Sequence, residues 1–466
     1  MKEISVTVGT TRDTEALKQA ARAHLWLPFT RGDEMEAEDG PTILVSGEGC
    51  RVVDADGRSY IDGIAALEAM VVGHGRTELV DVAAAQLQEL AFLDVFRYAS
   101  VPAIDLAERL AALAPGSLSR VHFTPGGAEA VEVALKLARR YFALRGEHTR
   151  QKVITRSGAF HGTTAGAMAA DGNYWSTRTD DYEGPSSIRR IAAPPACPKC
   201  DFGKVSRHLA CPHKIEELIV AERPETVAAV IVDPAATSIA VGVPPPSYLS
   251  ELREICDRFG VLLVVDEIIT GFGRTGRWFC CEHSDVVPDL MTVSKGLSSG
   301  YMPIGAAIVK DEIAAVFAGD PDGVFRHGHT YGAHPVACAV SLANIAILER
   351  EGLVESAEEM GSYLLERLRG LEHHPTFWDA RGLGLLAGVE LVADRSGRLF
   401  PDPGAFGTAL RKRCKANGLI TLPLHPGNVM FFAPPLTISR AEIDEMVEIF
   451  DRSLTETEQE LAGFLG

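Results

Sequence analysis

A lysine stands between an apolar run and a glycine in Thr292-Val293-Ser294-Lys295-Gly296-Leu297. An amine in such a setting can have its pKa lowered and can form a Schiff base with a carbonyl. The plain alternative is a solvated surface lysine, since most lysines are of that kind. Earlier in the chain, Val264-Val265-Asp266-Glu267-Ile268-Ile269 runs into Thr270-Gly271-Phe272-Gly273-Arg274-Thr275-Gly276. Two carboxylates at the carboxyl end of a buried parallel strand stand where open sheets bind ligands. A buried carboxylate needs a partner; a cationic ring nitrogen would serve, and so would backbone N–H groups. In Thr124-Pro125-Gly126-Gly127-Ala128-Glu129-Ala130 a strand ends, two glycines turn the backbone and a helix begins. Free N–H groups at a helix start suit a phosphate, although an ordinary strand–helix turn reads the same way. Ala159-Phe160-His161-Gly162 sets an aromatic and a histidine before a flexible turn, where a core aromatic is the bland explanation.

The elements that must position these groups follow from the apolar pattern. Arg120 to Thr124 reads as a short strand, and Ala128 to Arg145 as a helix ending at Gly146. Val227 to Val232 and Val261 to Val265 read as buried strands, with a helix from Tyr248 to Phe259 between them, stopped at Gly260. Continuous apolar strands separated by helices imply a parallel sheet covered on both faces. From Gly47 to Gly63 the text is hairpin-like, turning at Ala55-Asp56-Gly57. The first twenty or so residues read as an exposed helix with Ala16, Leu17, Ala20, Ala21 and Leu25 on one stripe. A long helical run follows Pro335, then the mixed pattern of a smaller domain.

Composition bounds the class. The 466 residues carry 45 Lys and Arg against 63 Asp and Glu, a formal charge of −18. That balance argues against nucleic acid and against an anionic membrane surface. With 46% hydrophobic and 23% charged residues the chain is of ordinary globular composition. No apolar run reaches the roughly 18 residues of a spanning helix. The first residues, Met1-Lys2-Glu3-Ile4-Ser5, lack the apolar core of a signal peptide. Nine cysteines fit a reducing cytoplasm better than a disulfide framework. Cys197, Cys200, Cys211 and His213 have a spacing that could grip zinc in a Pro-rich insertion; reduced structural cysteines are the alternative, and no metal is assigned.

A phosphate cradle, an aromatic face, a buried Asp and a Schiff-base Lys, in that order, are the parts that pyridoxal phosphate needs. Here the sequence resembles the class III pyridoxal-phosphate-dependent aminotransferases. The resemblance begins at His24-Leu25-Trp26-Leu27-Pro28-Phe29-Thr30 and runs through Gly73-His74-Gly75, Gly127-Ala128-Glu129-Ala130, Phe160-His161-Gly162 and Asp266 to Gly276. It continues through Ser294-Lys295-Gly296, His329-Thr330-Tyr331-Gly332, His334-Pro335, Arg381-Gly382-Leu383-Gly384 and Pro434-Pro435-Leu436. Within that family the text looks most like the ω-amino acid and amine:pyruvate branch.

The resemblance implies an α/β protein of the aspartate-aminotransferase fold, fold type I. The large domain, 76–335, would hold a mainly parallel sheet; the small α+β domain would combine 1–75 and 336–466. It implies amino transfer from an amine or ω-amino acid to a keto acid such as pyruvate, or to an aldehyde, in ping-pong order. Lys295 would hold the cofactor and shuttle a proton, and Asp266 would keep the pyridine nitrogen protonated. Phe160 and Ile268 would pack on the two ring faces, His161 would adjoin the cofactor, and the N–H groups of Gly127 and Ala128 would hold the phosphate. Thr330 would reach the phosphate from a neighbouring subunit, so a cytoplasmic homodimer with shared active sites is expected, and Trp26 would line the substrate pocket. Decarboxylases, racemases and aminomutases share the same machinery and stay as alternatives, as does a non-catalytic binding protein.

Three departures from the family pattern stand out. Gly126 and Ala128 occupy positions where relatives carry Ser or Thr. The family's Glu-Pro is Asp233-Pro234. Leu424 falls where many ω-aminotransferases have a carboxylate-gripping arginine, and no Arg lies between Lys415 and Leu436. Arg274 or Arg76 would then take a substrate carboxylate, or the best substrates lack one near the amine.

Overall fold

The computed structural model describes residues 13–30, 32–36, 40–156, 158–171, 187–191, 211–235, 238, 240–424 and 427–460. Seven strands form the central sheet. They are β1 (Leu118–Thr124), β2 (Lys152–Arg156), β3 (Ile188–Ile191), β4 (Val227–Val232), β5 (Leu262–Asp266), β6 (Leu290–Val293) and β7 (Gly305–Lys310). Their spatial order is β1-β7-β6-β5-β4-β2-β3. The pairs β2–β3, β2–β4, β4–β5 and β5–β6 are parallel, and β7 is antiparallel to both β6 and β1. One reversed strand thus leaves the carboxyl ends of β1, β4, β5 and β6 on a single edge, which is where ligands bind in such sheets.

Both faces of the sheet are apolar because both are covered. Every residue of β4 and β5 is buried. Successive side chains alternate between faces. Val264 packs with Val131, Ala134 and Leu135 of α1 (Gly127–Leu144), whereas Leu263 and Val265 pack with Leu249, Leu252 and Ile255 of α2 (Ser247–Phe259). Gly260 ends α2 at φ 60°, a left-handed cap that glycine adopts without steric penalty. The helical run after Pro335 divides at Gly352 into α3 (Pro335–Arg350) and α4 (Leu353–Arg369).

The expected hairpin is present as Arg51–Asp54 and Ser59–Asp62. Asp54 closes it: its carboxylate accepts from the N–H groups of Asp56 and Arg58 at 3.0 and 2.9 Å and from the Tyr60 hydroxyl at 2.6 Å. Leu419–Ile420 then adds to Ser59–Asp62 in parallel, joining strands from distant parts of the chain in one four-stranded sheet. A third sheet, also four-stranded, holds Phe377–Gly382, Ala387–Leu391, Leu422–Leu424 and Val429–Phe432. The helix Thr14–His24 buries no residue fully, in keeping with its reading as exposed.

One turn has no counterpart in the sequence reading. Ala65, Ala66, Leu67 and Glu68 all have positive φ, between 46° and 70°. Such a left-handed turn costs roughly 1–2 kcal/mol per L-residue. Asp62 offsets part of that cost, since its carboxylate accepts from the Ala66 N–H at 2.8 Å and is itself paired with His74 Nε2 at 3.0 Å.

Candidate active site

Asp266 is the last residue of β5, and its register partner on β6 is Thr292. That pairing puts the Thr292 hydroxyl within reach, and it donates to Asp266 Oδ1 at 3.0 Å. The Ile268 N–H donates to the same oxygen at 3.1 Å. His161 Nδ1 lies 2.6 Å from Oδ2. Burial alone pulls the His161 imidazole down, but the hydrogen bond to Asp266 and the charges of Asp266, Asp233 and Asp171 together lift it above its ordinary value. The carboxylate thus stabilises the protonated imidazole against the cost of burial. His161 Nε2 is buried without a hydrogen-bond partner among the described residues.

The neighbouring carboxylate has a different environment. Glu267 accepts from the Cys280 and Cys281 N–H groups at 2.9 and 2.8 Å and from the Thr270 hydroxyl. Full burial raises its pKa although those donors oppose the rise. The two readings of the acidic pair thus divide: Asp266 lines a cavity, and Glu267 is satisfied by backbone.

Lys295 begins the short turn after β6, with φ 36°. Asn344 of α3 fixes the turn, donating from Nδ2 to the carbonyls of Gly296 and Leu297 at 2.8 and 3.0 Å. A Cβ on Gly296 would lie 3.0 Å from Phe272 Cβ, so the glycine admits the close approach that its sequence position suggests. The Lys295 ammonium donates to Glu68 Oε2 at 2.5 Å, across from the left-handed turn.

At the start of α1, Gly126 offers no side-chain cap, so the first N–H groups of the helix lack the partner that a capping hydroxyl would supply. A Cβ at Gly127 would come within 2.9 Å of Ile268 Cδ1, so glycine keeps space open there. A cavity of about 220 Å³ is lined by Gly127, Ala128, Phe160, His161, Asp266, Ile268 and Lys295 together with Asp233 and Thr270. Seven of the nine site residues read from sequence meet there. Trp26, which is 92% exposed, and the exposed Thr330 do not.

The departures acquire physical content. Asp233 follows β4 and takes a buried ion pair from Arg156 at the end of neighbouring β2, and its carbonyl accepts from the same guanidinium at 3.1 Å. The shorter carboxylate thus ties two strand ends together. Leu424 is buried in an apolar cluster with Val241, Leu386, Val429 and Phe431. Arg76 is engaged fork to fork with Glu351 at 2.8 and 2.7 Å. Arg274 donates to the carbonyls of Leu385 and Pro434 at 2.9 and 2.5 Å, and burial pulls its pKa down to about 10. Neither arginine lines the cavity, and no arginine does among the described residues.

Cys197 and Cys200 lie outside the described residues. Cys211 is buried at the start of the helix Pro212–Ala221, which also carries His213. Cys50, Cys256, Cys280, Cys281, Cys338 and Cys414 are buried thiols outside any disulfide. Glu68, Arg156 and Asn344 were missed by the sequence reading. Each acts through a partner far away in the chain, and no local motif marks such a pair.

The chain is similar to known proteins over nearly its whole length. The family model described as aminotransferase class-III matches residues 35–454. A probable aminotransferase of Mycobacterium tuberculosis is 40% identical over 457 residues, covering 95% of each chain. The putrescine–pyruvate aminotransferase of Pseudomonas aeruginosa is 36% identical, covering 97% of this chain and 98% of its own. Among solved structures, an (S)-enantioselective omega-transaminase from Thermomicrobium roseum superposes with a TM-score of 0.89 at 39% identity, covering 96% of this chain and 100% of its own.

Proposed function

The chain belongs to the class-III aminotransferases, and from that premise we propose which of its residues do the work. The protein is an aminotransferase that moves an amino group to a keto acid, on the fold type I architecture. We take the donor to be an amine or ω-amino acid and the acceptor to be pyruvate or a similar keto acid. The pyruvate named for the Pseudomonas aeruginosa relative supports that choice.

Aminotransferases of this class use pyridoxal phosphate, and the residues here fit it. The uncapped start of α1 suits its phosphate, and the buried carboxyl of Asp266 suits a ring nitrogen that carries a proton. The space kept by Gly127 beside Ile268 suits the ring. When bound, the cofactor supplies an electron sink for the bond broken at the amine-bearing carbon. Lys295 would hold it through Nζ, and its amine would carry the proton moved during transfer. Asp266, buttressed by His161 and Thr292, would accept a hydrogen bond from the ring N–H. Gly127 and Ala128 would give backbone N–H groups to the phosphate. Phe160 and Ile268 would wall the ring and exclude water.

The observation that carries this reading is the meeting of Lys295, Asp266 and an uncapped helix start in one cavity. Thr330 and Trp26, exposed on one chain, are assigned to sites shared in a homodimer, where Thr330 reaches the partner's phosphate. We place the enzyme in the cytoplasm, a compartment that suits the buried thiols of Cys50, Cys256, Cys280, Cys281, Cys338 and Cys414, which lie outside any disulfide. Among the described residues no helix is long and apolar enough to cross a membrane. The test is the visible spectrum of the holoenzyme with excess L-alanine and then pyruvate. The cofactor band should fall and return; a band indifferent to every amine offered would overturn the reading.

A further inference from the structure

Glu68 lies outside the set just assigned to the cofactor, and its setting is unusual. Its side chain is 8% exposed and meets Lys295 Nζ at 2.5 Å. Among the described residues that ammonium is the one hydrogen-bonding partner of the carboxylate. The backbone that delivers it is left-handed over Ala65–Glu68, held by Asp62 and His74. Backbone strain of this kind persists where the surrounding structure over-determines it, and it clusters at ligand sites. Arg274 lies in the field of Glu68 and Asp62, yet the hydrogen bonds it makes go to the carbonyls of Leu385 and Pro434.

With Lys295 engaged by the cofactor, Glu68 would be a buried carboxylate without its cation, which is a costly state. A positive group brought by the substrate would relieve it. Glu68 borders the cavity through Lys295, and the lining itself carries Asp233 and Asp266 but, among the described residues, no arginine. Leu424 adds to an apolar cluster instead of a cationic fork. We propose that Glu68 is a specificity-determining residue that binds the second, distal ammonium of a short α,ω-diamine donor. The proposal rests on the reading that Lys295 holds the cofactor. Glu68 takes no part in bond breaking here; it selects the donor by charge.

The test uses the holoenzyme with pyruvate as acceptor and three donors of matched length: butanediamine, butylamine and ω-aminobutanoate. Wild type should favour the diamine over the monoamine by about tenfold or more in kcat/KM, as a desolvated charge-assisted hydrogen bond allows. Glu68→Gln should bring that ratio close to one. Glu68→Arg should turn the preference toward ω-aminobutanoate, a gain that a merely structural role would not produce. A readout apart from turnover is calorimetric binding of fully N-methylated butanediamine, whose tertiary amines cannot react. Its Kd should rise about tenfold in Glu68→Gln. If wild type treats diamine and monoamine alike, the proposal fails. It fails equally if Glu68→Gln slows all three donors by one factor with their ratios unchanged, because Glu68 would then only position Lys295. Both results leave transamination standing; a wild type that passes nitrogen from no amine to pyruvate would instead overturn the functional reading itself.

Discussion

On one side of Lys295 lie the carboxyl ends of β5 and β6, where the backbone is regular and the Asp266 carboxylate has three partners. On the other lies Ala65–Glu68, left-handed at each residue, where the carboxylate has, among the described residues, Lys295 alone. The first region is stiff because neighbouring strands share register and their side chains bond across it. The second is held against its own preference by Asp62. A sheet edge of the first kind can serve any reaction that needs a buried anion beside a lysine. A strained turn of the second kind can be re-specified by one residue, which suits it to choosing substrates.

The comparison can be broken first at the point where the regions meet. Lys295→Ala should reduce turnover to below about a thousandth of wild type, measured with butylamine and pyruvate. Activity near a tenth of normal would show that the reacting amine lies elsewhere. Next comes the stiffness of the sheet edge. Arg156→Met leaves Asp233 buried and unpaired, and should cost about 3 kcal/mol of unfolding free energy in urea titration. A change within error would mean that β2 and β4 need no tie at their ends. Asp266→Asn should slow turnover by about a hundredfold and weaken cofactor retention on dialysis. Unchanged retention would remove Asp266 from the cofactor site.

The smallest effect concerns the exposed side of the molecule near Thr330. His327 is pulled down to about 4, by burial first and then by Lys136 and the neighbouring imidazoles. The folded protein therefore binds fewer protons than the unfolded chain between that value and the ordinary 6.5. Stability from this group is present above pH 6.5 and is lost as pH falls toward 4. His327→Gln should flatten the fall of Tm over that window by a degree or two, on the order of the shift a group of this kind can give. A parallel fall in both proteins would show that His327 is as easily protonated folded as unfolded.

What could be read from the sequence follows the same division. Asp266 and Lys295 were legible because one ends a buried strand and the other closely follows one, and apolar period and residue type together mark such ends. The helix of α1 and its glycine start were legible for the same reason, within a residue. The acidic pair left two readings open, and each applies to one member. Glu68 was not legible, because Ala-Ala-Leu-Glu is written in residues that favour a right-handed helix, and its partner is 227 positions away. Arg156 lies 77 positions from Asp233, so the function of the shortened carboxylate emerged only from the strand order. Leu424 was found by counting back from Pro434-Pro435, yet its apolar surroundings include Val241 and Leu386, which spacing alone does not bring to it.

The central claim is amino transfer in two separable halves on one site. The most direct measurement is a single-turnover experiment on the holoenzyme with excess butylamine and no acceptor, followed by pyruvate. The account predicts one equivalent of aldehyde per active site, then a halt, then, once the unreacted amine has been removed, one equivalent of alanine when pyruvate is added. Continuous product without acceptor, or carbonyl product with no alanine after pyruvate, would contradict it.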